Sequence, residues 1–178
     1  MPYTLELLVK LKVPDVTALT AKHALQRRLG YADVLVDLRR ADYYRFVTEA
    51  ADEAAATKLV REAAERTTLF VNPNKHSYEV RFRDDDWRVT IAGPGLYSVE
   101  VLVTELNGGG AALREALQAQ WPGAQAIQEL SAGILWTLIL KAESAAQARQ
   151  IAEEIAVTRR VNKGLLINPH YQECQIAA

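Results

Sequence analysis

An internal repeat constrains the fold of this chain more than any other feature of its sequence. Residues Tyr3–Val9 align without a gap with residues Tyr97–Val103. Toward the end of each half, Phe70–Pro73 aligns with Leu166–Pro169, and a strand-like segment follows in both places. The two halves of the 178-residue chain therefore begin and end alike, which predicts one small unit present twice in tandem.

Each half carries the pattern strand, helix, strand, strand, helix, strand. Leu5, Leu7 and Val9 recur at every second position, which predicts a strand with one buried face. A helical period follows, with Thr17 as its predicted N-cap and Gly30 as its stop. The matching helix of the second half follows a glycine-rich turn at 107–110. The remaining predicted strands are at 33–40, 43–49, 77–83, 125–131, 134–142 and 172–177. Strands 33–40 and 43–49 are expected to form one hairpin, and strands 125–131 and 134–142 another. The remaining predicted helices are at 52–67 and 144–161.

This order of elements predicts an α+β fold made of tandem ferredoxin-like βαββαβ repeats. We place the first repeat at 1–83, a linker rich in aspartate, glycine and proline at 84–95, and the second repeat at 96–178. Apolar residues also occupy the strand face turned away from the helices. The two antiparallel sheets are therefore expected to pack against each other, or on another chain, with the helices outside. The residues concerned are Leu8, Val47, Leu102, Leu135 and Ile139.

Composition excludes several classes of function. The formal net charge is -1 and the sequence pI is about 6.3, which argues against nucleic acid or an anionic membrane as a partner. The longest apolar run, 132–140, is too short to span a bilayer, and the N-terminus does not have the pattern of an export signal. Cys174 is the only cysteine, so an intrachain disulfide is impossible. We expect a cytoplasmic protein.

Few residues suggest catalytic chemistry. Glu6 and Glu100 occupy matched positions on the outer strand face. They are expected to meet basic residues such as Arg45 rather than to act as a general acid and base. The three histidines show no metal-ligand spacing, and no metal site is expected. They are His23, His76 and His170.

Two short motifs leave a structural and a functional interpretation open. Arg39-Arg40 can bind a phosphate or a partner carboxylate, or can form a solvated hairpin end. Asn72-Pro73 and its counterpart Asn168-Pro169 favour a turn between helix and strand, because proline disfavours helix in the residue before it. Their duplication also allows a functional role.

Several segments resemble the small PurS subunit of phosphoribosylformylglycinamidine synthase. They cover nearly all of the first repeat, while the second follows the same plan more loosely. One departure is that Arg40-Ala41-Asp42 reaches Tyr43 without the Gly-Lys pair typical of the family. PurS chains are usually half this length and dimerise, so the chain resembles a PurS dimer written as one polypeptide. The matching segments are Tyr3–Leu11, Leu29–Tyr31, Val34–Arg39, Tyr43–Phe46, and Asn72-Pro73 before Tyr78–Val80.

The resemblance implies a non-catalytic role. A PurS subunit links a synthetase (PurL-type) subunit to a glutaminase (PurQ-type) subunit in de novo purine biosynthesis, where ammonia passes between them. The chain itself would bind no cofactor, since ATP, magnesium and glutamine are used by the partner subunits, and it could form a homodimer. The residues expected to shape the partner-binding surface are Arg39, Arg40, Asn72, Pro73, Asn168 and Pro169.

Three alternatives remain open on the sequence. A tandem ACT-like small-molecule sensor has the same element order and favours a glycine-bearing turn after its first strand, which 107–110 offers. An RNA-binding module would place aromatic residues on the outer sheet face, where only Tyr43 is expected, and the chain is not basic. A tautomerase would use Pro2 as an N-terminal amine, but the repeat is longer than the unit of those enzymes.

Overall fold

The computed structural model describes residues 1–105, 108–157, 166–167 and 172–178. These residues form seven strands and four α-helices, which confirms the α+β class. The strands are β1 (Pro2–Leu11), β2 (Leu35–Glu49), β3 (His76–Phe82), β4 (Thr90–Gly93), β5 (Leu96–Glu105), β6 (Ile127–Lys141) and β7 (Gln172–Ile176). The helices are α1 (Val16–Arg27), α2 (Glu53–Arg66), α3 (Gly110–Gln120) and α4 (Ala145–Ala156), with a 3-10 helix at Pro122–Ala126.

The chain divides into two compact units whose boundaries do not coincide with the repeats. The first unit contains Met1–Val13, Ala41–Asp84 and Asn107–Gly133. The second unit contains Pro14–Arg40, Asp85–Leu106 and Ile134–Ala178. Each unit therefore combines segments of both sequence repeats. The boundaries at 1–83, 84–95 and 96–178 describe sequence similarity and stay a prediction.

The first unit is ferredoxin-like, with the strand order β3, β1, β2, β6. Strand β1 is antiparallel to both of its neighbours: Leu7 lies opposite Tyr44 of β2 and opposite Val80 of β3. Helices α2 and α3 both contribute to the core on one face of these strands. That core consists of Leu5, Leu7, Val9, Phe46, Ala56, Val60, Ala63, Ala64, Phe70, Val71, Leu117, Ala124, Ile127 and Leu130.

The second unit repeats this plan, with β5 paired to β6 on one side. On its other side β5 pairs with β4 near its start and with β7 near its end. Helices α1 and α4 contribute to the core. The buried residues include Ala18, Leu25, Tyr31, Leu35, Leu38, Val99, Val101, Val103, Trp136, Leu138, Leu140, Ala148, Ala152, Ile155 and Ala156.

Strands β2 and β6 are each continuous over their whole length, from Leu35 to Glu49 and from Ile127 to Lys141. The predicted hairpins between 33–40 and 43–49 and between 125–131 and 134–142 are therefore wrong. In β2 the connecting residues Arg40-Ala41-Asp42 lack the Gly-containing pairs that tight hairpin turns require. Ala41 is buried, which an exposed hairpin tip would not allow.

Capping side chains define the helix starts. The carboxylate of Asp15, not the hydroxyl of Thr17, caps α1 by accepting the N–H of Ala18 at 3.1 Å. Asp52 caps α2 and Ser144 caps α4 in the same way, and both helices were predicted to begin there. Helix α1 ends before Gly30, which has the positive φ of 81° that favours glycine. No helix in the described part of the chain is both long and apolar enough to cross a membrane.

The predicted linker 84–95 is built into the second unit from Asp85 onward. Residues 90–93 form β4, which pairs with β5 through Thr90 opposite Ser98. Before it, the N–H of Val89 donates to the carbonyl of Ala178 at 2.8 Å, and the N–H of Ala178 donates to that of Trp87 at 3.1 Å. The segment therefore completes a sheet edge as well as joining the two repeats.

The strand face turned away from the helices is covered at the apolar positions that the sequence singles out. Four of these five side chains are buried, and Val47 is partly buried. This agrees with the expectation that the face is not solvated, while the packing of two sheets on each other stays a prediction. The buried residues are Leu8, Leu102, Leu135 and Ile139.

Gly110 provides a test of the first unit's packing. A Cβ atom at this position would lie 2.0 Å from the backbone oxygen of Leu130 in β6. We expect Gly110→Ala to lower the free energy of unfolding by about 1–3 kcal/mol in urea denaturation, because backbone must move to relieve the overlap. The control is Gly109→Ala, since nothing lies within 4 Å of its Cβ position. Equal stability of the two variants would contradict this packing.

Candidate functional site

The most enclosed charged side chain of the first unit is Glu6, with only 5% of its surface exposed. Strand alternation places it there: Leu5 and Leu7 of β1 face the core, so Glu6 faces the opposite side. A buried carboxylate needs hydrogen-bonding partners, because its transfer from water without them costs several kcal/mol. The surroundings of Glu6 are therefore the first place to look for function.

Three side chains donate to the Glu6 carboxylate. The Nε of Arg81 lies 2.6 Å from Oε2, and the Nη1 of Arg83 lies 3.3 Å from Oε1. The hydroxyl of Tyr43 donates to Oε1 at 2.8 Å and is itself 3.0 Å from the Nη1 of Arg83. We call these four residues the Glu6 cluster. Both carboxylate oxygens are occupied, so the group offers no free base.

Burial, and next the neighbouring Glu6 carboxylate, raise the pKa of Tyr43 well above its ordinary value. Its phenol therefore stays protonated at neutral pH and acts as a donor. The two positive guanidinium groups outnumber the one negative carboxylate, so the cluster carries a net positive charge. The cluster links strands β1, β2 and the end of β3 through hydrogen bonds. Its arginine side chains are partly exposed and can bind a partner's carboxylate or phosphate, so the cluster suits recognition rather than proton transfer.

The expected basic partner of Glu6 was Arg45, and this residue assignment is wrong. Arg45 does lie opposite Glu6 in the register of β1 and β2. Its guanidinium forms an ion pair with Glu129 instead, at 3.5 Å. The contacts come from β3, where Arg81 lies opposite Glu6.

A sequence signal for the β3 partners exists. Tyr78, Val80 and Phe82 alternate toward the helices, so Arg81 and Arg83 must face the side of Glu6 once β3 is placed beside β1. That placement follows from the strand order of a ferredoxin-like unit. Tyr43 lies opposite Leu8, one outward position along β1.

The matched carboxylate of the second unit has different surroundings. Glu100 lies opposite Thr137 of β6, where Glu6 has Arg45, and its carbonyl accepts the N–H of Ala177. The indole N–H of Trp87 donates to the Glu100 carboxylate at 2.6 Å. The two repeats thus keep a carboxylate at the same strand position, and an indole donates to it in the second unit where two arginines and a tyrosine donate in the first.

Arg39 and Arg40 do not form one joint site. They are successive residues of β2, so their side chains point to opposite faces. Arg39 is 67% exposed, and its Nε donates to Asp37 at 3.0 Å. Arg40 is more enclosed, and its Nη1 lies 3.4 Å from the carboxylate of Asp15, the N-cap of α1. A partner-binding role for either residue stays a prediction.

Asn72-Pro73 forms the turn that precedes β3. The side-chain oxygen of Asn72 accepts the N–H of Asn74 at 3.0 Å, and its carbonyl accepts the N–H of His76 at 2.8 Å. Lys12 closes the turn by donating from Nζ to the carbonyl of Pro73 at 2.6 Å. This is the structural interpretation of the motif, and the turn is exposed. The counterparts Asn168 and Pro169 lie outside the described residues.

No group of three or more histidine, cysteine, aspartate or glutamate side chains with metal-binding geometry occurs among the described residues. The imidazole Nδ1 of His76 accepts the N–H of Asn72 at 3.0 Å, which gives this histidine a structural role. Of the glycines predicted to form a flexible turn, Gly110 begins α3.

Comparison with protein families matches residues 4–84 to PurS, phosphoribosylformylglycinamidine (FGAM) synthase. The first repeat is therefore similar to the PurS family over these residues. This similarity connects it with FGAM synthase and with purine biosynthesis. Comparison with curated proteins and with solved structures gave no match in either case.

The PurS segment contains the whole Glu6 cluster together with Arg39, Arg40 and the Asn72-Pro73 turn. It ends before Trp87, so the surroundings of Glu100 lie beyond it. The origin of the second repeat by duplication of a PurS sequence stays a prediction, supported by the matched segments at 3–9 and 97–103.

The Glu6 cluster predicts that replacing Arg81 lowers the free energy of unfolding more than replacing Arg45 does. Arg81→Met removes the shortest contact of a buried carboxylate, and we expect it to lower the free energy of unfolding by about 2 kcal/mol, less than for a wholly buried pair because Arg81 is partly exposed. Arg45→Met removes only the pair with the exposed Glu129 and should cost less than about 1 kcal/mol. Chemical denaturation at neutral pH measures both. Equal losses would show that Glu6 does not depend on Arg81.

Asp37 predicts an acid-dependent contribution to stability. Burial alone would raise its pKa, but hydrogen bonds from the Arg39 side chain, the Leu38 N–H and Lys22 lower the pKa below its ordinary value. The stabilisation is therefore present at neutral pH and is lost as the pH falls through that lowered pKa. We expect Asp37→Asn to cost less than about 1 kcal/mol at pH 7.

That cost should shrink as the pH of the unfolding measurement falls below about 4, the ordinary range of an aspartate. The control is Asp33→Asn, which removes an exposed carboxylate of the same unit that forms no ion pair with the residues that the structure describes. A cost of Asp37→Asn that is constant from pH 7 to acid would contradict the assignment.

Proposed function

We propose that this chain is a non-catalytic bridging subunit of the FGAM synthase complex in the cytoplasm. It would link a PurL-type synthetase to a PurQ-type glutaminase and support the transfer of ammonia between them. The observation that carries the proposal is the PurS match over residues 4–84. Under this role ATP, magnesium and glutamine bind to the partner subunits and not to this chain.

The chemistry of the Glu6 cluster supports a binding role. The best-enclosed carboxylate of the first unit accepts hydrogen bonds from two arginines and a tyrosine, so it is not available to take a proton from a substrate. A charge-compensated cluster of this kind holds a surface in one shape. A preformed surface loses less side-chain entropy when a partner binds.

Two exposed features are suited to contact the partners. The guanidinium of Arg39 is held by Asp37 yet remains largely exposed, which suits a partner carboxylate or phosphate. The turn at Asn72-Pro73 is fixed internally by Lys12 and His76 and is also exposed. Each belongs to its own compact unit, and each is a proposed contact.

The proposal predicts loss of one activity and not the other. Without this chain, the cognate synthetase and glutaminase should lose glutamine-dependent FGAM synthesis, because ammonia no longer passes between them. Synthesis from added ammonium should remain, since the synthetase site is intact. Co-expression and co-purification should yield a complex of all three chains. Undiminished glutamine-dependent activity without the chain, and no stable complex with it, would refute the bridging role.

Arg39→Ala gives the residue-level version of this experiment, with an internal control. Arg88 is also an exposed arginine of the second unit, and it also pairs with an aspartate two residues before it, Asp86. We expect Arg39→Ala to weaken complex formation several-fold and Arg88→Ala to leave it unchanged. Equal effects would remove Arg39 from the contact surface. A thermal shift produced by a free amino acid, with no complex formed, would instead favour the ACT-like alternative.

A further inference from the structure

Strand β3 is an open edge of the first unit. It pairs with β1 from Leu5 opposite Phe82 to Leu11 opposite His76, and no other described strand pairs with it. The outer side of such a strand presents unpaired N–H and C=O groups, which form a template for another strand. The question is which strand fits it.

The hydrogen bonds to β1 identify the backbone groups that remain. The N–H of Arg83 donates to the carbonyl of Thr4 at 3.1 Å, and that of Lys12 donates to Lys75 at 2.9 Å. Hydrogen-bonded pairs alternate along an antiparallel ladder, and the register between these points has no shift. The odd-numbered residues of β3 therefore bond to β1. The N–H and C=O groups of Tyr78, Val80 and Phe82 point to the open edge.

This edge lacks several of the features that usually protect one. Proteins protect edge strands with proline, with charged side chains, especially lysine, or with a bulge. The sequence of β3, His76–Phe82, contains neither proline nor lysine, and its pairing with β1 has no bulge. Phe82 is 38% exposed and lines an open groove of about 720 Å³ beside α2. An exposed apolar side chain and an unpaired strand edge thus occur together.

We infer that β3 pairs antiparallel with β3 of a second copy of this chain, about a two-fold axis at Val80. In this register Val80 lies opposite the partner's Val80, and Tyr78 lies opposite the partner's Phe82. Both are pairs in which the outward backbone groups exchange hydrogen bonds. Glu79 lies opposite the partner's Arg81 in a pair without backbone bonds, where side chains come closest. The two-fold axis makes each of these unlike contacts occur twice.

Charge excludes the neighbouring registers. An axis at Glu79 or at Arg81 would place like charges directly opposite each other at the axis. An axis at Tyr78 would place Arg81 opposite the partner's Lys75, and an axis at Phe82 would place it opposite the partner's Arg83. Of these registers, only the one about Val80 joins opposite charges without placing like charges directly opposite each other, and this complementarity is the reason for choosing a second copy over another protein.

Strand β7, the matched strand of the second repeat, does not bring opposite charges together when paired with its own copy. Strand β7 spans only Gln172–Ile176. Self-pairing about Cys174 would place Glu173 opposite the partner's Gln175, with no opposite charge. The proposed interface therefore belongs to β3 and is independent of the role in FGAM synthase.

Sedimentation of the full 19.8 kDa chain tests the interface. We expect a concentration-dependent dimer. Glu79→Lys should raise its dissociation constant about tenfold or more, because two attractive pairs become repulsive. Glu173→Lys, the same charge change on β7, should leave the constant unchanged. A monomer at all concentrations, or a dimer equally affected by both variants, would overturn the proposal.

A disulfide test defines the register. Val80→Cys in a Cys174→Ala background should cross-link two copies under mild oxidation, because opposite residues of such a pair have Cα atoms about 5.5 Å apart, within disulfide range. Ser77→Cys in the same background should not, since its own copy lies far along the strand. Cross-linking by Ser77→Cys but not by Val80→Cys would overturn the register. A cross-link from Val80→Cys to a synthase subunit, with the chain monomeric, would overturn the choice of occupant.

Discussion

Strands β2 and β6 each contribute to two compact units, and the rest of the structure depends on that continuity. Because the chain changes units within each long strand, α1 and α3 belong to the cores of units formed around the other repeat's first strand. Leu117 of α3 is buried in one cluster with Leu5 of β1, and Leu25 of α1 with Val101 of β5. Neither repeat therefore holds a complete core within its own sequence. Because apolar burial contributes about 25 cal/mol per Å², each repeat depends on the other for part of its stability.

The locally determined parts of this fold could be predicted from sequence. Asp52 and Ser144 cap helices that begin where predicted, because a side chain accepting an N–H three residues on is a short-range interaction. The N-cap of α1 was wrong by two residues: Asp15 lies just before the helix and outcompetes Thr17. The hairpins failed for a different reason. The predicted strands 33–40 and 43–49 are close enough in sequence to form a hairpin, but the residues between them are not typical of a turn and Ala41 is buried.

The site was predictable in kind but not in its residues. Alternation along β1 places Glu6 on the outer face, and from the sequence we predicted that it would meet a basic residue there. Choosing Arg81 over Arg45 requires a comparison of two strands that both lie opposite Glu6. Distances decide that choice, since Arg81 lies 2.6 Å from the carboxylate while Arg45 pairs with Glu129. The alternation of residues along a strand predicts which face a side chain occupies, but not which of two neighbouring side chains it contacts.

The divergence around the two matched carboxylates bears on why one chain would carry two such units. Glu6 accepts from two arginines and a tyrosine, whereas Glu100 accepts from the indole of Trp87, which lies in the predicted linker. A dimer of identical chains would present the same groups twice. Two repeats in one chain remove that symmetry, because each repeat can change its outer strand face without changing the other. Recognition depends on complementary charge, so under the proposed bridging role two chemically unlike faces would suit two unlike partners.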